Sequence, residues 1–157
     1  MTYLSDLLAR TVAELRDRDV PDEALATLKI PRFGRTKLVP VGRAWRLGVL
    51  LLDRDGNLFS TSTVTRAVEP LRGVTNRSAE AEARRQLRHV AAYSKFPEGE
   101  AVNVDPVPVD VSPEALAEGS GLLLMEEGVL MVRWNAGTGI RPLEAYLADR
   151  ISLLDEA

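Results

Sequence analysis

The 157 residues carry 20 lysines and arginines against 23 aspartates and glutamates, one histidine and no cysteine. That length suits one domain with its own core, and the missing thiols exclude disulfides, thiolate metal sites and cysteine nucleophiles. The net charge of −3 conceals three blocks: 1–28 carries −3, 29–95 carries +9 and 96–157 carries −9. A basic middle of this kind attracts phosphate, carboxylate or nucleic acid, or is neutralised by the acidic blocks within the fold or across a homodimer. The N-terminus has no basic region ahead of its apolar residues, and no apolar run approaches the roughly 20 residues of a membrane span. A cytoplasmic protein without a membrane partner is expected.

In chain order, 2–19 has the spacing of an amphipathic helix, with Leu4, Leu7, Leu8, Val12 and Leu15 on one face. Pro21 suits the first turn of a short second helix over 22–28, so that 1–30 forms a helical N-terminal segment. KIPRFGRTK, 29–37, is a basic loop punctuated by Pro and Gly. The strongest strand signal is 43–52. Folded at Asp53-Arg54-Asp55-Gly56-Asn57, it opens a long hairpin whose second arm runs from Leu58 to Ala67. A four-residue loop would exchange the faces of the second arm; a five-residue loop pairs Leu52 with Leu58 and Leu51 with Phe59. Alternation then puts Arg43, Trp45, Leu47, Val49 and Leu51 toward the core. Arg46, Gly48, Ser60, Ser62 and Arg66 fall on the other face.

Ser78 caps a predicted helix to about residue 94, with acids early and bases late, as the helix dipole favours. Glu80–Arg84 and Glu82–Arg85 are spaced as ion pairs, and Ala83, Leu87, Val90 and Ala91 as the buried stripe. AVNVDPVPVDV, 101–111, alternates Val with polar residues and Pro, the pattern of an edge strand or extended flap. Ser112-Pro113-Glu114 opens a short helix or turn ending near Gly119. A second hairpin turns at Glu126-Glu127-Gly128, and a final helix begins with Pro142 in its first turn. The fold class is α+β: a single domain over 1–157, with one antiparallel sheet of about five or six strands and N-terminal, middle and C-terminal helices packed on it.

No catalytic set emerges. Asp53, Asp55 and Asn57 alternate as calcium ligands do, but Gly56 stands fourth where a calcium loop needs it sixth, and the twelfth position is Val64. GVLLLDRDGNLF before a charged helix is similar to the opening of Nudix hydrolases, yet Ala79 and arginines stand where magnesium-binding carboxylates belong. His89 alone cannot supply a multi-histidine zinc site. Asn135-Ala136-Gly137-Thr138-Gly139 before a helix could offer backbone N–H groups to an anion. No metal and no cofactor is expected.

Two binding surfaces remain. Arg46, Ser60, Ser62 and Arg66, with Gly48 leaving room for close approach, place two guanidiniums beside hydroxyls, as a carboxylate or phosphate site requires. KIPRFGRTK with Arg84, Arg85 and Arg88 would make a nucleic-acid surface, though only Phe33 supplies an aromatic within the loop.

The phrases VPVGRAWRLGVLLL, TRAVEP and VRWNAG with PLEAYLADR resemble a group of short uncharacterised actinobacterial proteins, some labelled glutaminase. The resemblance covers the chain from about Arg32 onward and implies amide hydrolysis as an alternative function. It assigns no catalytic residue, because the Ser-x-x-Lys nucleophile of serine-dependent glutaminases has no counterpart here. The expectation carried forward is a non-catalytic module binding an anionic small molecule or a protein partner through Arg46, Ser60, Ser62 and Arg66. Nucleic acid is the less favoured ligand, and a homodimer through the complementary basic and acidic regions is a further expectation.

Overall fold

The computed structural model describes residues 2–61, 63–67, 79–94, 96–97, 99–135 and 139–154. Helix α1 (Thr2–Asp17) leads into strands β1 (Glu23–Lys29), β2 (Lys37–Leu47), β3 (Leu50–Asp53), β4 (Leu58–Ser60) and β5 (Thr63–Arg66). Helix α2 (Ala79–Tyr93), β6 (Ala101–Val104), β7 (Val107–Pro108) and helix α3 (Pro113–Glu118) follow. The chain ends with β8 (Leu123–Glu126), β9 (Val129–Arg133), β10 (Ile140–Pro142) and helix α4 (Leu143–Leu154). The class is α+β, but the single antiparallel sheet of five or six strands needs correcting. A seven-stranded mixed sheet has the order β5-β6-β1-β2-β3-β4-β7, and a separate three-stranded sheet has the order β10-β9-β8.

The chain forms two compact units. One comprises Met1–Asp22, Trp45–Ser60 and Val107–Ala157; the other comprises Glu23–Ala44 and Thr61–Pro106. In the first unit α1 buries the predicted stripe of Leu4, Leu7, Leu8, Val12 and Leu15. That stripe joins Trp45, Leu47, Leu50, Leu52 and Leu58, and the α4 residues Leu143, Tyr146, Leu147 and Ile151. The 43–52 strand is interrupted at Gly48-Val49, a two-residue connection from β2 to β3. Gly48 has φ +67°, which suits glycine at the first position of such a turn. Leu50, Leu51 and Leu52 are all fully buried. Successive strand side chains point opposite ways, so both faces of β3 are covered, and the expectation of one polar face fails there.

The hairpin register holds: Leu52 pairs with Leu58, Leu51 with Phe59 and Leu50 with Ser60. Asp53 ties the loop, its Oδ1 accepting from the N–H groups of Asp55 (3.0 Å) and Asn57 (2.8 Å), and its Oδ2 from Asn57 Nδ2 (3.0 Å). A carboxylate so occupied is a turn-former. Ser112 caps α3 by accepting from Ala115 N (3.2 Å), and Gly119 closes the helix with φ +84°, as the sequence predicts. Between β8 and β9, Glu127 and Gly128 have φ of +52° and +79°, the pattern of a type I′ turn. Pro142 ends β10 instead of entering α4.

In the second unit the predicted helix over 22–28 is a strand. Ala and Leu carry good helix propensity, but β1 pairs antiparallel with β2 and parallel with β6. Two ladders outweigh a local preference worth tenths of a kcal/mol per residue. Ala24, Leu25 and Ala26 are consecutively buried, as expected of a strand covered on both faces. The 101–111 segment divides: β6 lies inside the sheet between β5 and β1, while β7 is an edge strand. Its Pro108 accordingly sits where a missing ladder donor is tolerated. Asn103 is buried on β6, its Nδ2 donating to Glu23 Oε1 and to Ala24 O, both at 3.1 Å. Among the described residues, the core cluster of this unit comprises Ala24, Ala26, Leu38, Ala67, Val90, Ala91, Val102 and Val104. Ala83, expected inside, is exposed. The Ser78 cap lies outside the described residues.

Candidate functional site

The predicted second arm of the long hairpin is two strands with different neighbours. β4 lies between β3 and β7, whereas β5 pairs only with β6 among the described strands. The reason is invisible locally, because Ser60-Thr61-Ser62-Thr63 contains no Gly or Pro to mark a break. Of the four residues expected to form one surface, the three described ones, Arg46, Ser60 and Arg66, therefore belong to different strands. Arg46 is half-buried on β2 and already engaged in an interaction. The hydroxyl of Ser60, on β4, lies 3.5 Å from the carbonyl of Val107. Ser62 lies outside the described residues. Arg66 is exposed on β5, its Nη1 donating to the carbonyl of Gly99 at 3.0 Å. The room beside Gly48 is taken: Tyr146 Oη accepts from Val49 N at 2.9 Å, and a Cβ on Gly48 would lie 1.9 Å from that oxygen.

Arg66 instead joins a set the sequence did not assemble. A groove of about 590 Å³ is lined by Thr63, Val64, Thr65 and Arg66 of β5 and by Arg84, Leu87 and Arg88 of α2. Positions 84, 87 and 88 are related by i, i+3 and i+4 and so share one helix face. The same helix packs Leu87, Val90 and Ala91 into the small core of its unit, and this fixes which face meets β5. Arg84 and Arg88 are exposed, Thr65 is buried, and no carboxylate lines the groove among the described residues. Glu82 turns away, pairing with Arg85 at 3.7 Å and accepting from Gln86 at 3.1 Å. The expected Glu80–Arg84 pair is not formed among the described residues. Arginine stays charged at any physiological pH and offers a planar fork of donors, so three around one opening suit a carboxylate or phosphate. The helix arginines were legible as a basic surface; their meeting with Arg66 was not, since it depends on α2 packing on β5.

Elsewhere in the same unit, the loop between β1 and β2 holds Phe33 at 85% exposure and Ile30 at 77%. Arg32 lies over the Phe33 ring at 5.9 Å. A cleft of about 610 Å³ beside this loop is lined largely by Pro31, Phe33, Leu38, Val39 and Pro40. The basic loop thus presents apolar side chains between its charges. His89 is exposed on α2 and is not among the residues lining the groove.

The proposed anion loop near Gly139 does not stand at a helix N-terminus, because β10 intervenes before α4. Gly139 N already donates to Asn135 Oδ1 at 3.0 Å, and residues 136–138 lie outside the described residues. No group of three or more His, Asp or Glu placed to hold a metal ion occurs among the described residues. No described helix is long and apolar enough to cross a membrane.

No family model, curated protein or solved structure matches the chain. The functional reading therefore stands on the geometry alone.

Proposed function

We propose that this protein is a binding module that holds an anionic ligand in the groove between β5 and α2. One observation carries the reading: Arg66, Arg84 and Arg88 line one opening, with no carboxylate among the described residues that line it. Like charges around one opening repel one another, and an anion entering between them relieves that repulsion while accepting several charge-assisted hydrogen bonds. Thr63 and Thr65 add hydroxyls, and Leu87 adds an apolar contact. The described lining residues, arginine, threonine, valine and leucine, are of the kind that hold a ligand by charge, hydroxyl and apolar contact.

The test is a thermal-shift screen of the pure chain against phosphate, dicarboxylates, nucleotides and acidic peptides, repeated on the Arg84→Glu/Arg88→Glu variant. A ligand at 100 times its Kd adds about 2.7 kcal/mol of stability, a clear rise in Tm. The variant should keep its unliganded Tm and lose the ligand-induced rise. A rise that survives both substitutions would move the site elsewhere.

A further inference from the structure

We infer that the ligand of this groove is an extended acidic peptide that adds to β5 as a further strand. The inference rests on the anion-binding reading and specifies its ligand.

The lining residues show where the groove runs. Thr63, Val64, Thr65 and Arg66 are consecutive, and all four line it. Successive side chains on a strand point to opposite faces, so a cavity lying on one face would meet only alternate residues. A cavity touching all four follows the edge of the strand.

The register shows which backbone groups face that edge. β5 and β6 are antiparallel, with Thr63 opposite Val104, Val64 opposite Asn103, Thr65 opposite Val102 and Arg66 opposite Ala101. One step further, Ala67 N donates to the carbonyl of Glu100 at 3.0 Å, so Ala67 turns its backbone toward the β6 side. In an antiparallel ladder this orientation alternates. Thr65 and Thr63 share the parity of Ala67 and face β6; Val64 and Arg66 direct their N–H and C=O groups to the open side. No strand pairs with β5 on that side among the described residues.

The facing wall matches an extended peptide in spacing and charge. Arg84 and Arg88 are four residues apart, about 6 Å along the helix axis. Same-face side chains of an extended segment recur every two residues, about 6.7 Å. A peptide with acids on that face meets both guanidiniums, and Leu87 between them offers an apolar contact. Main-chain ladder bonds then supply affinity, and the arginines select for acidic sequence. A single-stranded nucleic acid would satisfy the arginines but has no backbone amides for the ladder.

The experiment uses fluorescence anisotropy with the full chain and a labelled nonapeptide alternating Glu and Val. Two derivatives are N-methylated, one at the odd amides and one at the even amides, which removes donors from one edge of the peptide without changing its charge. The parent peptide should bind, and methylation of the set that faces β5 should weaken it at least tenfold more than methylation of the other set. Val64→Pro should weaken the parent peptide at least tenfold while keeping the fold, since proline is tolerated where an edge amide faces outward. If that variant does not fold by circular dichroism, the methylated peptides on the native chain decide alone. Equal binding of all three peptides would overturn strand addition and leave a groove that recognises charge only. Binding of oligo(dT) that Arg84→Glu abolishes, with no binding of the peptide, would likewise overturn the peptide ligand. Failure of the peptide, oligo(dT) and inorganic phosphate alike would overturn the groove reading itself.

Discussion

The unit made of Met1–Asp22, Trp45–Ser60 and Val107–Ala157 has 8 basic and 16 acidic residues, net −8, while the other has 12 and 7, net +5. Their interiors differ as much. The acidic unit buries a cluster dominated by leucine, with Trp45 and Tyr146. Among the described residues, half of the eight in the basic unit's cluster are alanine. Buried apolar area stabilises by about 25 cal/mol per Å², so among the described residues the acidic unit's cluster supplies the larger hydrophobic stabilisation. The basic unit instead carries the groove, the open edge of β5 and the exposed Phe33 loop. The candidate groove and the larger core cluster thus belong to different parts of one chain.

The comparison fails most visibly if the large core tolerates truncation. Trp45 is 1% exposed and its indole N–H donates to the carbonyl of Val20 at 2.8 Å. Trp45→Ala should therefore cost about 3–5 kcal/mol in urea denaturation. A loss below 1 kcal/mol would show that the acidic unit is not the stabilising one.

Gly48→Ala comes next. The left-handed φ alone costs roughly 1–2 kcal/mol for a residue with a Cβ. The added carbon also displaces the phenol of Tyr146 from Val49 N. Combining it with Tyr146→Phe, which removes the clashing oxygen, should give a double variant less destabilised than the sum of the singles. Strict additivity would mean that the phenol does not set the constraint.

The smallest effect belongs to the basic unit. Val102→Ala removes two methyl groups from a fully buried position, for about 1.6 kcal/mol at roughly 0.8 per buried methylene-sized group. A loss matching that of Trp45→Ala would erase the contrast between the two cores.

What the sequence made legible follows the range of the interaction involved. α1, the Asp53–Asn57 hairpin turn and the α3 caps depend on residues a few positions apart, and periodicity or turn chemistry identified each. β1 reads locally as a helix because Pro21 followed by Asp-Glu-Ala-Leu-Ala suits a helix start, while its ladder partner β6 lies almost 80 residues later. β5 was merged with β4 because nothing in the Ser/Thr run marks the change of neighbour. Of the candidate site, Arg66 was identified, but Arg84 and Arg88 were placed on a separate surface. Their convergence is a tertiary fact, set by which face of α2 packs inward.

The arginines that line the β5 edge have a second effect, on the chain's own copies. Two molecules approaching edge to edge would bring two sets of Arg66, Arg84 and Arg88 together, a charge barrier of the kind that keeps exposed strands from pairing. Salt screens both this repulsion and the attraction of an acidic ligand, so the two associations should respond in opposite directions. As ionic strength rises, peptide affinity should fall while self-association, followed by sedimentation velocity, increases. If the groove takes an acidic peptide, the surrounding electrolyte would thereby govern both associations of the β5 edge.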